Sequence, residues 1–231
     1  MPGKILFIAT SHTRLGNTGR QTGIWAEEIA VPYQIFAEAG YGVDIVSPKG
    51  GAAAFDPGSI KPAGQNSEVV ERFLSDPQAR QKVEHTQLVA NANVVGYDAV
   101  FFPGGHGAMW DLPEDPHVTR VVEAAQAAGK VIGAVCHGVA ALVSARVADG
   151  RPMVSGKRVN SFTDDEEDAA GLSNVVPFRL ESRLRELGGR FEKAPNWASF
   201  AVRDGALVTG QNPASSAQVA RLVLQALEHP E

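Results

Sequence analysis

Short, wholly apolar runs alternate along the chain with longer stretches whose apolar positions recur at helical spacing. "KILFIAT" (Lys4 to Thr10) has the length and character of a buried strand, and the polar, Gly-containing "SHTRLGNTGRQTG" after it reads as a loop. In "IWAEEIAVPYQIFAEAG" the helical spacing runs to Gly40, a C-terminal stop, with a kink expected at Pro32. "VDIVSP" (Val43 to Pro48) is the next predicted strand, and residues 49 to 66 form a long Gly/Pro-containing loop of the kind that often carries function. Ser67 to Thr86 reads as helix broken at Asp76-Pro77. "DAVFFPGG" (Asp98 to Gly105) is a strand running into glycines. Asp115 and Pro116 make an N-cap and first-turn pair for a helix that continues to Ala128 and closes at Gly129.

"KVIGAVCHGVAALVSA" (Lys130 to Ala145) then predicts strand, sharp turn and helix, with Gly133 and Gly138 on either side of the turn. This β-α alternation indicates a mostly parallel sheet covered by helices on both faces. Beyond Ala145 the pattern changes. "MVSGKRVNSFT" and "FAVRDGALVTG" each read as β-hairpins, around Gly156-Lys157 and Asp204-Gly205, while "VPFRLESRLRELGG" and "SAQVARLVLQALEH" read as amphipathic helices. No linker divides the halves, so one α/β domain over residues 1–231 is expected, with no internal repeat.

Composition narrows the function classes. A hydrophobic content of 44% supports a substantial core. A formal charge of −5, with no stripe of Lys and Arg, argues against nucleic acid as a partner. No apolar run is long enough for a membrane span, no charged segment followed by an apolar one opens the chain, and one cysteine leaves no internal disulfide; a cytoplasmic location is expected.

That cysteine, Cys136, sits at the turn directly before His137. A helix N-terminus favours the thiolate, so the sulfur is expected to be ionised near neutrality; the alternative is a buried cysteine acting as a small apolar residue. "FFPGGHG" ends a neighbouring strand, and its glycines let backbone N–H groups approach a ligand, so Gly104, Gly105 and the His137 amide are candidate oxyanion donors. A phosphate loop is rejected because no helix is expected directly after Gly107. Glu27 and Glu28 lie early in the first helix and point about 100° apart, so one faces the sheet edge and the other water. "DDEED" on its own reads as a solvated acidic loop. His12, His85, His106, His117 and His229 fall at no ligand spacing and no metal site is expected; His106 is set apart by its place in "GGHG", which gives it a supporting role.

Five stretches, "TGIWAEEIAVP", "PGGHGAMWDLP", "AVCHG", "GKRVNSFTDDEE" and "LVTGQNPASS", occur in one order over nearly the whole chain. In these the sequence resembles the DJ-1/PfpI superfamily, and within it the Hsp31-like glyoxalase III group. The resemblance implies a flavodoxin-like three-layer sandwich, usually a homodimer, with Cys136 as nucleophile and His137 beside it. A glutamate four residues before a proline selects Glu28 over Glu27, and the acidic residue after "FTD" corresponds to Glu167. The implied activity is conversion of methylglyoxal and similar 2-oxoaldehydes to 2-hydroxy acids without glutathione, metal or nicotinamide. A cysteine peptidase or amidase is the nearest rival, and a stress-induced holdase or a thiol redox sensor is the non-enzymatic alternative. Trp25, Trp110 and Trp197 are left as core or pocket wall.

Overall fold

The computed structural model describes residues 3–229. In chain order its strands are β1 (Lys4–Ile8), β2 (Gly42–Ser47), β3 (Gln87–Leu88), β4 (Ala99–Phe102), β5 (Val131–Val135), β6 (Arg158–Val159), β7 (Arg190–Phe191), β8 (Ala201–Asp204) and β9 (Leu207–Gly210). The α-helices are α1 (Ala26–Glu38), α2 (Glu68–Ser75), α3 (Pro77–Glu84), α4 (Ala108–Asp111), α5 (Pro116–Ala127), α6 (Asp164–Ala169), α7 (Leu180–Glu186) and α8 (Ser216–Glu228). Seven strands form one sheet in the order β3-β2-β1-β4-β5-β9-β8, parallel throughout except for β8 against β9. The fold is α/β, a flavodoxin-like sandwich.

Strands covered on both faces explain why the apolar runs are continuous rather than alternating. Within β1, Ile5 and Phe7 pack on one side with Ile29 and Phe36 of α1 and Val219 and Val223 of α8. Leu6 and Ile8 pack on the other with Val118, Val121 and Val122 of α5. The expected caps are present: Asp76 accepts from Gln78 N at 2.8 Å, and Asp115 from His117 N at 2.7 Å, each followed by proline in the first turn. Helix α1 continues through buried Pro32. That proline supplies no N–H to the Glu28 carbonyl four residues earlier.

Four local expectations are corrected. "MVSGKRVNSFT" is not a hairpin: β6 pairs in parallel with β7, from which it is separated by α6 and α7. Met153 N–H instead donates to the Ala145 carbonyl at 3.0 Å, and the Arg158 amide is taken by the Asp204 carboxylate at 2.9 Å, so two backbone donors on either side of the expected turn are held by other parts of the chain. The second hairpin, β8 to β9, turns at Gly205 as expected. The turn at Cys136 leads into a wholly buried 3₁₀ helix over Cys136–Leu142 rather than an α-helix. One helical turn, α4, opens directly after Gly107, and the acidic run is helix α6 rather than loop. No helix among the described residues is long and apolar enough to cross a membrane.

Candidate active site

Adjacent parallel strands β4 and β5 end side by side, and the loops leaving them meet the start of α1 at the carboxyl edge of the sheet, where open α/β sheets bind ligands. Cys136 follows β5 with φ 56, a left-handed conformation that is costly for a residue with a Cβ and typical of a nucleophile elbow. The turn is tight because Gly138 passes close to β4: a Cβ there would lie 2.2 Å from the Phe102 carbonyl oxygen.

Glu28 reaches the sulfur from α1. It is fully buried, Oε2 accepts the Gly104 N–H at 2.9 Å, and Oε1 has no hydrogen-bond partner. The Cys136 thiol lies near enough to act on its electrostatics. A Cβ on Gly104 would lie 2.5 Å from Glu28 Oε2 and 2.7 Å from the Val135 carbonyl oxygen, so only glycine allows the amide to approach the acid. Burial pushes the Glu28 carboxyl well above its ordinary value, which favours the protonated acid. Glu27 is partly exposed, which fits the two-facing expectation for this pair.

Two expectations change here. The Gly104 amide is committed to Glu28, so it positions the acid and is no oxyanion donor. The sulfur is not poised as a free thiolate. Burial, the largest cause, pushes the Cys136 thiol well above its ordinary value, against a smaller lowering by the His137 backbone amide. A short 3₁₀ segment does not outweigh loss of solvent.

A proton path leads from the sulfur. His137 Nδ1 lies 3.3 Å from Cys136 Sγ, and Nε2 lies 2.7 Å from Glu167 Oε2. Glu167 Oε1 is 2.8 Å from His106 Nε2, so one carboxylate spans both imidazoles, whose ring centroids are 4.0 Å apart. Burial, and then the neighbouring His106, hold the His137 imidazole below its ordinary value. Burial alone would raise Glu167, but the two histidines outweigh it and keep this carboxyl far below the usual range. With Glu167 ionised, both Nε2 atoms donate to it and His137 Nδ1 is free to accept the thiol proton.

The donor atoms of His106, His137 and Glu167 lie within 4.8 Å of one another, a set that sequence spacing did not anticipate and that a divalent ion could use. Their mutual hydrogen bonds satisfy them without one. The other histidines do not join this cluster.

A cavity of about 250 Å³ opens in front of the sulfur, lined by Gly105, His106, Cys136 and His137 on its floor and by Trp25, Phe162 and Trp197 on its walls. Trp110 lies elsewhere, stacked on His12 with centroids 5.1 Å apart. Glu166 is the residue the sequence reading passed over. It is fully buried, closes a capping box with Thr163 at the start of α6, and accepts from Trp197 N at 2.8 Å and Asn212 Nδ2 at 2.8 Å. The signal was present, since Thr163-x-x-Glu166 is the capping-box pattern.

The DJ-1/PfpI family model matches residues 22–226. The glutathione-independent glyoxalase hsp3101 of Schizosaccharomyces pombe is 32% identical over 96% of this chain and 95% of its own length. Among solved structures, the Rapid Encystment Protein 24 KDa of Francisella tularensis superposes with a TM-score of 0.93 at 36% identity, covering 97% of this chain and 99% of that one. Glyoxalase III of Candida albicans superposes with a TM-score of 0.88 at 27% identity, covering 97% of each chain. With an elbow cysteine, a buried acid held by a glycine amide, and these matches over nearly its whole length, the chain belongs to the DJ-1/PfpI family.

Proposed function

We propose that the protein is a glutathione-independent glyoxalase that converts methylglyoxal and similar 2-oxoaldehydes to 2-hydroxy acids, with Cys136 as nucleophile. The observation that carries this reading is the run of contacts Cys136–His137–Glu167 with the buried Glu28 carboxyl close to the sulfur, in a chain whose full-length relatives are named as glyoxalases. A peptide segment suits a cavity of about 250 Å³ less well than a small aldehyde does.

The thiol is protonated at rest, so the reaction begins with transfer of its proton to His137 Nδ1 as sulfur attacks the aldehyde carbon. The Gly105 and His137 amides hold the new oxyanion, which takes the proton from His137 to give a hemithioacetal. A base then removes the hydrogen from the former aldehyde carbon, and a proton returns at the former ketone carbon through an enediol. Because Glu28 keeps its proton, His137 is the better base of the two, while Glu28 hydrogen-bonds the sulfur and Glu167 stabilises the imidazolium. Water cleaves the resulting thioester, freeing the acid and restoring the thiol. The sum is one 2-oxoaldehyde plus one water to one 2-hydroxy acid. No outside oxidant or reductant enters.

A glutathione-free assay of lactate formation from methylglyoxal, run beside glutamine and peptide substrates, tests the proposal. The expected result is lactate from the native chain and a loss of about a thousandfold or more in Cys136→Ser. Full turnover in that variant, or activity on glutamine or peptide alone, would overturn it.

A further inference from the structure

A three-carbon aldehyde fills only part of the space before the sulfur. The cavity volume, about 250 Å³, approaches the ~300–1,000 Å³ of pockets that hold drug-sized ligands. Its walls carry aromatic rings, with Arg20 and Asp56 also on the lining. The Phe162 ring lies 4.5 Å from that of His137 and 5.6 Å from that of Trp197, so a run of rings extends from the reacting atoms to the mouth. Such faces take up a flat apolar group and offer a methyl group little.

Trp197 is also held there at a cost. It is 52% exposed, so burial alone does not account for its place, and its φ of 65 is strained for a bulky residue. Its backbone N–H is fixed by Glu166, whose two oxygens also accept from Thr163, Gln211 and Asn212. A fully buried carboxylate with this many donors is a rigid anchor. The fold thus devotes a fully buried carboxyl group to holding an exposed indole over the site.

We propose that Trp197, positioned by Glu166, is a specificity-determining residue, and that the site takes 2-oxoaldehydes bearing a ring-sized apolar substituent in preference to methylglyoxal. This rests on the glyoxalase reading above. With an aryl group the bonds made and broken are the same: sulfur adds to the aldehyde carbon, that carbon's hydrogen is replaced by one on the ketone carbon, and water releases an aryl 2-hydroxy acid. The aldehyde carbon is oxidised as the ketone carbon is reduced.

The test compares kcat/KM for phenylglyoxal and methylglyoxal without glutathione, following mandelate and lactate, in the native chain, Trp197→Gly, Trp197→Phe and Glu166→Gln. Glycine accepts the left-handed backbone, so Trp197→Gly removes the indole without endangering the fold. The native chain is expected to favour phenylglyoxal. Trp197→Gly lowers the phenylglyoxal-to-methylglyoxal ratio about tenfold, mainly through KM, and Trp197→Phe retains most of it. Glu166→Gln lowers the same ratio, but leaves it unchanged in the Trp197→Gly background, because both changes act through one side chain. Lactate formation with a ratio unmoved by Trp197→Gly, or a native preference for methylglyoxal, overturns this inference and leaves the glyoxalase reading intact. No 2-hydroxy acid from either substrate overturns both.

Discussion

Glu28 and Glu167 are two buried carboxyls with opposite electrostatics, and the difference is what each one faces. Glu28 faces a thiol and a single amide, and burial keeps it neutral; Glu167 faces two imidazoles, which keep it charged. Between the ordinary carboxyl value and its own raised value, native Glu28 keeps a proton that the unfolded chain releases, so stability falls as pH rises through that window. Glu28→Gln has no proton to lose. We expect its melting temperature to exceed that of the native chain by a gap that widens between pH 4.5 and pH 8, even as activity drops; a constant gap would show an ionised Glu28. At Glu167 the sign reverses: its stabilisation is present above the ordinary carboxyl value and is lost only as pH falls through its depressed one. His137, held below its ordinary value, sets a further expectation. The acid limb of kcat/KM with methylglyoxal should lie below the ~6.5 of a free imidazole, and a limb above that value would mean that His137 is not the group being titrated.

Among elements, the loop leaving β4 carries the tightest constraint. A Cβ at position 104 would meet Glu28 on one side and the carbonyl of Val135 on another, and the backbone of β5 cannot give. Gly104→Ala should therefore push Glu28 out of register and lower kcat/KM by about a hundredfold, the cost of misplacing a group by ~1 Å, with far less effect on KM. Turnover within twofold of native would show that Glu28 need not sit where it does. Elements built from local signals were legible in the sequence: the apolar runs of β1, β2, β4 and β5, and the Asp-Pro starts of α3 and α5. What failed depended on distant partners. Nothing near Arg158 announces that Arg190 will lie alongside it, and a glycine followed by lysine looks like a hairpin turn until the rest of the chain is in place. In the acidic run, Glu166 and Glu167 are buried while Asp165 is exposed, a distinction made by what packs on α6 and not by a row of five carboxylates. The resemblance, rather than the run itself, singled out Glu167.

At the scale of the whole molecule, the sheet is tied to its helices by aromatic contacts on one face. Phe101 sits at the middle of β4, 4.8 Å from Phe7 and 5.7 Å from Phe36 of α1, all fully buried. Phe101→Ala should cost about 3–5 kcal/mol, read as a fall in melting temperature of roughly 6–20 °C for a chain of this size. A smaller loss would mean that the core repacks around the vacancy. Exposed ion pairs such as Arg72–Glu68 and Arg80–Glu84 should matter far less. The site is carried by this framework but is not part of what makes it durable. At the elbow the two demands conflict, because glycine would relax the left-handed backbone that Cys136 endures. Glycine there would relieve that strain but leave a buried void and a freer unfolded chain, so Cys136→Gly should move stability by no more than about 1 kcal/mol in either direction. The strained backbone at this one position is thus tolerated at little net cost, which leaves the chemistry of the side chain to decide which residue stands there.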